Sequence, residues 1–119
     1  MFDDHSPIYR QIAERIKADI LSGALAEDSQ VMSTNQYAAA YRINPATAAK
    51  GLRQLLDEEI LYKRRGIGMF VSPDAREKLR QEHRERFFVE ILQPLIDEAK
   101  TIGISLDDVI TYINDHKDR

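Results

Sequence analysis

Asn44, Thr47, Lys50 and Arg53 recur at three-residue intervals and carry amide, hydroxyl and cationic groups. That set hydrogen-bonds phosphate oxygens and base edges of nucleic acid. A second set follows, in which Lys63, Arg64 and Arg65 are consecutive cations beside Gly66. Burying such a run would cost desolvation, so it belongs on a surface that can lie along a groove or a phosphate backbone. Each set has a plainer alternative. Thr47 is equally an ordinary first-turn helix residue, Arg53 can pair with an acid on its own helix, and a charged run is often simply solvated. Catalysis finds no support: Glu82, Glu85 and Glu90 form no carboxylate pair in an inferable cleft, and the chain has no phosphate-cradling glycine loop and no Gly-x-Ser-x-Gly. His5, His83 and His116 lack metal-ligand spacing. We therefore expect no enzymatic activity, no cofactor and no metal.

The helix that carries the first set opens with Asn44 as N-cap and Pro45, whose fixed φ suits the first helical position. Ala48, Leu52, Leu55 and Leu56 form its buried face, leaving Ala46, Thr47, Lys50, Arg53 and Gln54 exposed. Upstream, Ser6-Pro7 reads as N-cap and first residue of an amphipathic helix over residues 7–22, with Ile8, Ile12, Ile16 and Ile20 four apart and Gly23 as a left-handed cap. Residues 24–32 form a connector. Ser33 with Gln36 makes a capping box for a short second helix packed through Tyr37, Ala38, Ala40 and Tyr41, and Ser33 is also expected beside a phosphate. Arg42-Ile43 is the turn, with Ile43 plugging it onto the core, which completes a helix-turn-helix. Residues 60–62 and 68–71 read as strands joined by a basic turn at 63–67, a wing with three cations at its tip.

Ser72-Pro73-Asp74 then breaks the chain, predicting a winged helix-turn-helix domain at 1–72 and a helical dimerisation domain at 73–119. From Asp74 to Ile102 a long helix is charged through Arg86 and then apolar at Phe87, Phe88, Ile91, Leu92, Leu95 and Ile96, and Pro94 should kink or split it. Gly103 ends it, and Ser105 with Asp108 caps a last helix bearing Leu106, Val109, Ile110 and Ile113. These apolar faces exceed what two helices can cover for each other. A second copy of the chain, packed on Phe87, Phe88, Ile91, Leu92, Leu95, Ile96, Ile110 and Ile113, is the economical solution. The first six residues lining an effector pocket is the other reading.

Bulk properties agree. The chain has 119 residues, 43% hydrophobic and 31% charged, enough for one real core with a small appendage. It has no cysteine, no basic signal region at its N-terminus and no apolar run of membrane-spanning length, from which a cytoplasmic location is expected. The net charge of −3 argues at first against nucleic acid. Its distribution reverses that: between Arg42 and Gly68 six cations face three acids, and the acidic excess lies wholly beyond residue 71.

Taken together, Pro7-Ile8-Tyr9-x-Gln11-Ile12-Ala13, Ile20-x-x-Gly23-x-Leu25, Asn44-Pro45-x-Thr47 and Gly66-x-Gly68-x-Phe70-Val71 resemble the winged helix-turn-helix domain of the GntR family of bacterial transcription regulators. The match runs over residues 7–71 without a gap. Residues 72–119 look like the short two-helix tail of the YtrA-like subfamily. The resemblance implies a mainly α fold with a small β-hairpin and a homodimer on a two-fold symmetric operator. Several positions depart from the family pattern, among them Val31-Met32 in place of Leu-Pro and Ala46 in place of a frequent asparagine. Asn35 stands where an arginine commonly contacts DNA, and asparagine can bridge to adenine or bond a phosphate but cannot make arginine's bidentate contact with guanine. Asp28 and Glu59 replace usual glycines, predicting altered loop and wing geometry.

The expected function is a homodimeric, sequence-specific DNA-binding transcriptional repressor on a palindromic operator. Its duplex contacts are expected from Ser33, Asn35, Asn44, Thr47, Lys50, Arg53, Lys63, Arg64, Arg65 and Gly66. A small-molecule effector is left unassigned. A winged-helix module that binds protein is the alternative, disfavoured because a protein interface would prefer aromatic anchors on that helix.

Overall fold

The computed structural model describes residues 6–118, so His5 lies outside the described residues. The chain divides into two compact units between Arg80 and Gln81. The first contains α1 (Ile8–Ser22), α2 (Thr34–Tyr41), α3 (Pro45–Asp57), β1 (Leu61–Arg64), β2 (Gly68–Val71) and the start of α4 (Ala75–Phe87).

Helix α1 begins one residue later than expected. Pro7 is the cap, with extended backbone and no side-chain hydrogen bond, and its carbonyl accepts the amides of Arg10 and Gln11 at 3.1 and 3.2 Å. Ser6 therefore does not cap the helix; its carbonyl instead accepts Gln11 Nε2 at 2.7 Å. Ile12, Ile16 and Ile20 are buried as the four-residue spacing requires, while Ile8 in the first turn is exposed. Gly23 closes the helix in the left-handed region at φ 90°. The Ser33–Gln36 capping box is present in both directions, and Tyr37 and Ala38 face the core, but Ala40 is exposed. Ile43 packs partly buried against the core, with its amide on the Ala38 carbonyl at 3.0 Å.

The core gathers Ile12, Ala13, Ile16 and Ile20 of α1, Tyr37 and Ala38 of α2, and Ala48, Leu52 and Leu55 of α3, with Ile60, Leu61 and Val71 from the hairpin. Ala75 and Leu79, at 1% and 0% exposed, belong to the same core. The first unit thus runs past the boundary expected at 72/73, because one turn of α4 presents two apolar side chains to it. Lys17 of α1 is buried and is paired with Glu58 at 2.8 Å.

The hairpin is antiparallel, with Leu61 opposite Val71 and Arg64 opposite Gly68. The connector supplies a further partner: Gln30 bridges Phe70, the Val31 amide donates to Met69 O, and the Val71 amide donates to Ser29 O, both at 2.9 Å. Asp28 and Glu59 adopt φ 62° and 60°, the left-handed region that glycine enters without cost. Asp28 is held by the Tyr62 hydroxyl, which donates to it at 3.0 Å. Exposed Glu59 has no such side-chain partner among the described residues, and in the left-handed region its Cβ crowds the following carbonyl. Glu59→Gly is expected to raise stability by about 0.5–1 kcal/mol, a melting-temperature gain of a few degrees. A lower melting temperature would show that relief of this strain does not outweigh the greater freedom of the unfolded chain.

In the second unit, α4 continues into a π-helical turn at Phe88–Leu92, then α5 (Gln93–Thr101) and α6 (Leu106–His116). Pro94 falls in the first turn of α5, where the helical run is divided as expected. The wide turn precedes it, with the Gln93 amide on the Phe88 carbonyl and Leu92 and Gln93 both in right-handed helical conformation. Proline removes one donor and crowds the carbonyl four residues back, and a π turn is one way a helix absorbs such a fault. Gly103, at φ 79°, ends α5 with the Ile104 amide on Ala99 O at 2.8 Å, a Schellman closure. Ser105 caps α6 through the Asp108 amide at 3.0 Å.

Candidate nucleic-acid interface

Helix α3 presents two unlike faces. Ala48, Gly51, Leu52 and Leu55 are buried, and Ala46, Lys50 and Arg53 are exposed. Asn44 caps the helix by accepting the Ala46 amide at 2.8 Å, and Pro45 occupies the first turn. The amides of that turn are occupied, Ala46 on Asn44 Oδ1 and Thr47 and Ala48 on the Asn44 carbonyl at 3.0 and 3.1 Å, so a phosphate there would be met by side chains. Thr47 is half-buried and not exposed as expected, because its position borders the core-facing Ala48.

Gly51 was not singled out by sequence reasoning, since an isolated glycine in a helical pattern has no distinctive local signal. A Cβ there would lie 2.7 Å from the Tyr9 backbone oxygen and 3.5 Å from Ile12 Cβ. Its hydrogen lets α1 and α3 approach at backbone distance. Tyr9 then lies under Lys50, whose Nζ is 4.2 Å from the ring centroid.

The wing cations do not act as one cluster. Lys63 and Arg64 are residues of β1, and the turn is Arg65-Gly66-Ile67, so only Arg65 of the three is at the tip. Alternation along the strand then separates them. Arg64 lies over the Phe70 ring at 5.2 Å, on the face where Tyr62 and Phe70 stack. Lys63 is on the opposite face and shares a hollow with Thr34, Ala49, Arg53 and Met69. It also lines a second hollow with Ser33, Thr34 and Asn35. Thr34, Lys63 and Met69 are common to the two hollows, which otherwise hold Ser33 and Asn35 in one and Arg53 in the other. Gly66 turns at φ 78° with open space around it, whereas a Cβ at Gly68 would meet Gln30 Nε2 at 2.5 Å. That amide nitrogen donates to Ile67 O at 3.1 Å and clamps the turn.

Charge is arranged in the same sense. Glu58, at the end of α3, is taken up by Lys17 at 2.8 Å and by Gln54 at 3.3 Å. No carboxylate among the described residues lies within ion-pair distance of Lys50, Arg53 or Lys63, so the pairing considered for Arg53 is absent there. Burial, with Tyr41 and Asp19 nearby, pushes the Tyr37 hydroxyl up to about 12. Tyr37 is therefore a neutral core residue of α2, stacked on Tyr41 at 6.2 Å.

In the second unit, Ala99 is the one buried side chain among the described residues. Of the positions expected at a dimer interface, Phe87, Phe88, Ile91, Leu95, Ile110 and Ile113 are exposed, and Leu92 and Ile96 are half-buried. A hollow of about 580 Å³ between α5 and α6 is lined by Leu95, Ala99, Ile102, Ile104, Val109 and Tyr112 with Glu98 and Asp108. Of the six side chains weighed as an effector pocket, only Leu95 lines it. No helix of the described residues is long and apolar enough to cross a membrane.

Comparison with known proteins agrees with this architecture. The chain is 37% identical over 75 residues to the repressor NagR of Bacillus subtilis, covering 63% of this chain but 31% of NagR. It is 29% identical over 110 residues to the repressor YtrA of the same organism, covering 92% of this chain and 84% of YtrA. A GntR family transcriptional regulator from Listeria monocytogenes superposes with TM-score 0.76 at 27% identity, over 96% of this chain and 98% of that one. The DNA-binding domain of AraR, solved in complex with operator ORX1, matches 60% of this chain and 93% of its own at TM-score 0.56 and 25% identity. The model of the bacterial regulatory proteins of the gntR family matches residues 8–71, from the start of α1 to the end of β2. The chain belongs to the GntR family of non-enzymatic, DNA-binding transcription regulators.

Proposed function

We propose that this chain is a cytoplasmic, homodimeric transcriptional repressor that reads a palindromic operator. The carrying observation is that Lys63 lines two hollows, one with Ser33 and Asn35 and the other with Ala49 and Arg53 of α3, and that no acid among the described residues pairs with Arg53 or Lys63. Each α3 enters a major groove by its N-terminal half. Asn44, Thr47 and Lys50 face bases and phosphates, and Arg65 and Gly66 lead the wing onto the neighbouring backbone or minor groove. Two such helices, set about one helical turn or 34–36 Å apart, match a two-fold symmetric site. The exposed apolar side chains of the second unit support a partner copy, since patches of that kind on a small protein are commonly interfaces. The repressor names of NagR and YtrA support the sign of regulation.

Selection of bound duplexes from a random pool, followed by gel-shift titration at two salt concentrations, tests the proposal. A selected palindrome with strongly salt-dependent affinity is expected. Absence of binding at low salt overturns it.

The split of the wing cations yields a sharper expectation. Lys63→Ala should weaken operator binding and reduce the salt slope by about one unit, while Arg64→Ala, already occupied with Phe70, changes both less. Equal losses would mean that the two strand faces are equivalent towards DNA.

A further inference from the structure

Among the described residues Lys50 makes no hydrogen bond or ion pair, yet it is not a free side chain: its ammonium sits 4.2 Å from the centroid of the Tyr9 ring. Tyr9 belongs to α1, an element outside the helix-turn-helix. It reaches Lys50 because Gly51, the next residue of α3, lets the two helices meet at its own backbone oxygen, where a Cβ would be 2.7 Å away. The pair borders a cleft of about 420 Å³ with Arg10, Arg53, Gln54 and Asp57. We propose that Tyr9 is a positioning residue for DNA recognition, its ring holding the Lys50 ammonium in the orientation in which α3 presents it to the duplex. This rests on the reading of α3 as the recognition helix.

The physical argument concerns entropy and direction. A solvated lysine loses considerable rotamer freedom when it is fixed against a phosphate or base edge. An aromatic face attracts the cation without consuming its N–H donors, so the restriction is met before DNA arrives and all three donors remain available. Carboxylate pairing would fix the side chain equally well but would neutralise it. Tyrosine therefore restrains the charge and leaves it usable. The hydroxyl is not needed for this, which separates positioning from a direct phosphate contact by Tyr9.

The test is a double-mutant cycle on the full chain with its selected operator duplex, read by gel shift. Lys50→Met should lower affinity about 10-fold or more. Tyr9→Leu should lower it about three- to tenfold, Tyr9→Phe should stay within about twofold, and Tyr9→Leu should add nothing in the Lys50→Met background. Losses that multiply independently, or a Tyr9→Phe loss equal to that of Tyr9→Leu, overturn the proposal. A second measurement needs no folded variant. In the wild type, the NMR signals of the Lys50 ε-methylene should be shifted upfield by the ring current, both free and bound to operator, and unshifted signals in the complex overturn the proposal. If operator binds normally and Lys50→Met changes nothing, the positioning role alone fails. If no duplex binds at all, the function proposed above fails with it.

Discussion

Gly51→Val is expected to unfold the N-terminal unit at temperatures where the wild type is fully folded. The first side-chain carbon would stand 2.7 Å from the Tyr9 backbone oxygen, a contact that requires displacement of α1 itself. Neither Ile12 nor Ile16, buried on the same helix, leaves α1 free to move without opening the core. Overpacking of this kind costs about 1–3 kcal/mol and more when the obstacle is backbone, against a total stability of roughly 5–15 kcal/mol. Alanine would regain about 1 kcal/mol of helix propensity, so Gly51→Ala should be the milder variant, destabilised by about 1–2 kcal/mol. Thermal melts followed by circular dichroism rank the three proteins. Equal melting temperatures for wild type and Gly51→Ala would mean that α1 and α3 have slack, and would also remove the geometric basis for the Tyr9–Lys50 contact.

Ile110→Asp combined with Ile113→Asp should convert the proposed dimer to monomer and lower operator affinity by at least about a hundredfold, or roughly 3 kcal/mol. In a two-fold interface each substitution occurs twice, so four buried carboxylates would have to be desolvated without partners. These positions are better probes than Leu92. Ile110 and Ile113 are 54% and 52% exposed within the chain, so a monomer tolerates aspartate there, whereas half-buried Leu92 also packs within its own unit. Sedimentation gives the oligomeric state and the melting curve confirms folding. A double variant that remains dimeric would move the interface away from α6.

What was legible in the sequence is what local chemistry decides. The isoleucine spacing of α1, the Ser33 and Ser105 caps, the Asn44-Pro45 start and the Gly103 stop each depend on a few neighbouring residues, and each is found in the structure. Features decided by distant partners were not. Lys17 looks like a surface residue until α3 brings Glu58 to it, 41 positions away. Gly51 has meaning only once α1 lies across it. The wing was placed correctly but its first strand is shifted towards Arg64, because pairing with Gly68 extends β1 into the basic run. That shift changed the expected site most, dividing three cations treated as equivalent between two faces and the tip. At Pro94 the rule held, and what it did not foretell is that the division takes the form of a wide π-helical turn.

The bridge from Gln30 to Phe70 carries an implication for the thermodynamics of association. With β2 tied to the connector and the turn clamped through Ile67 O, the hairpin cannot swing as a flexible arm. It would meet the duplex already shaped, and little ordering of chain would accompany docking. Calorimetry on the operator complex should then give a heat-capacity change close to that of rigid-body burial, without the larger negative value that marks coupled folding.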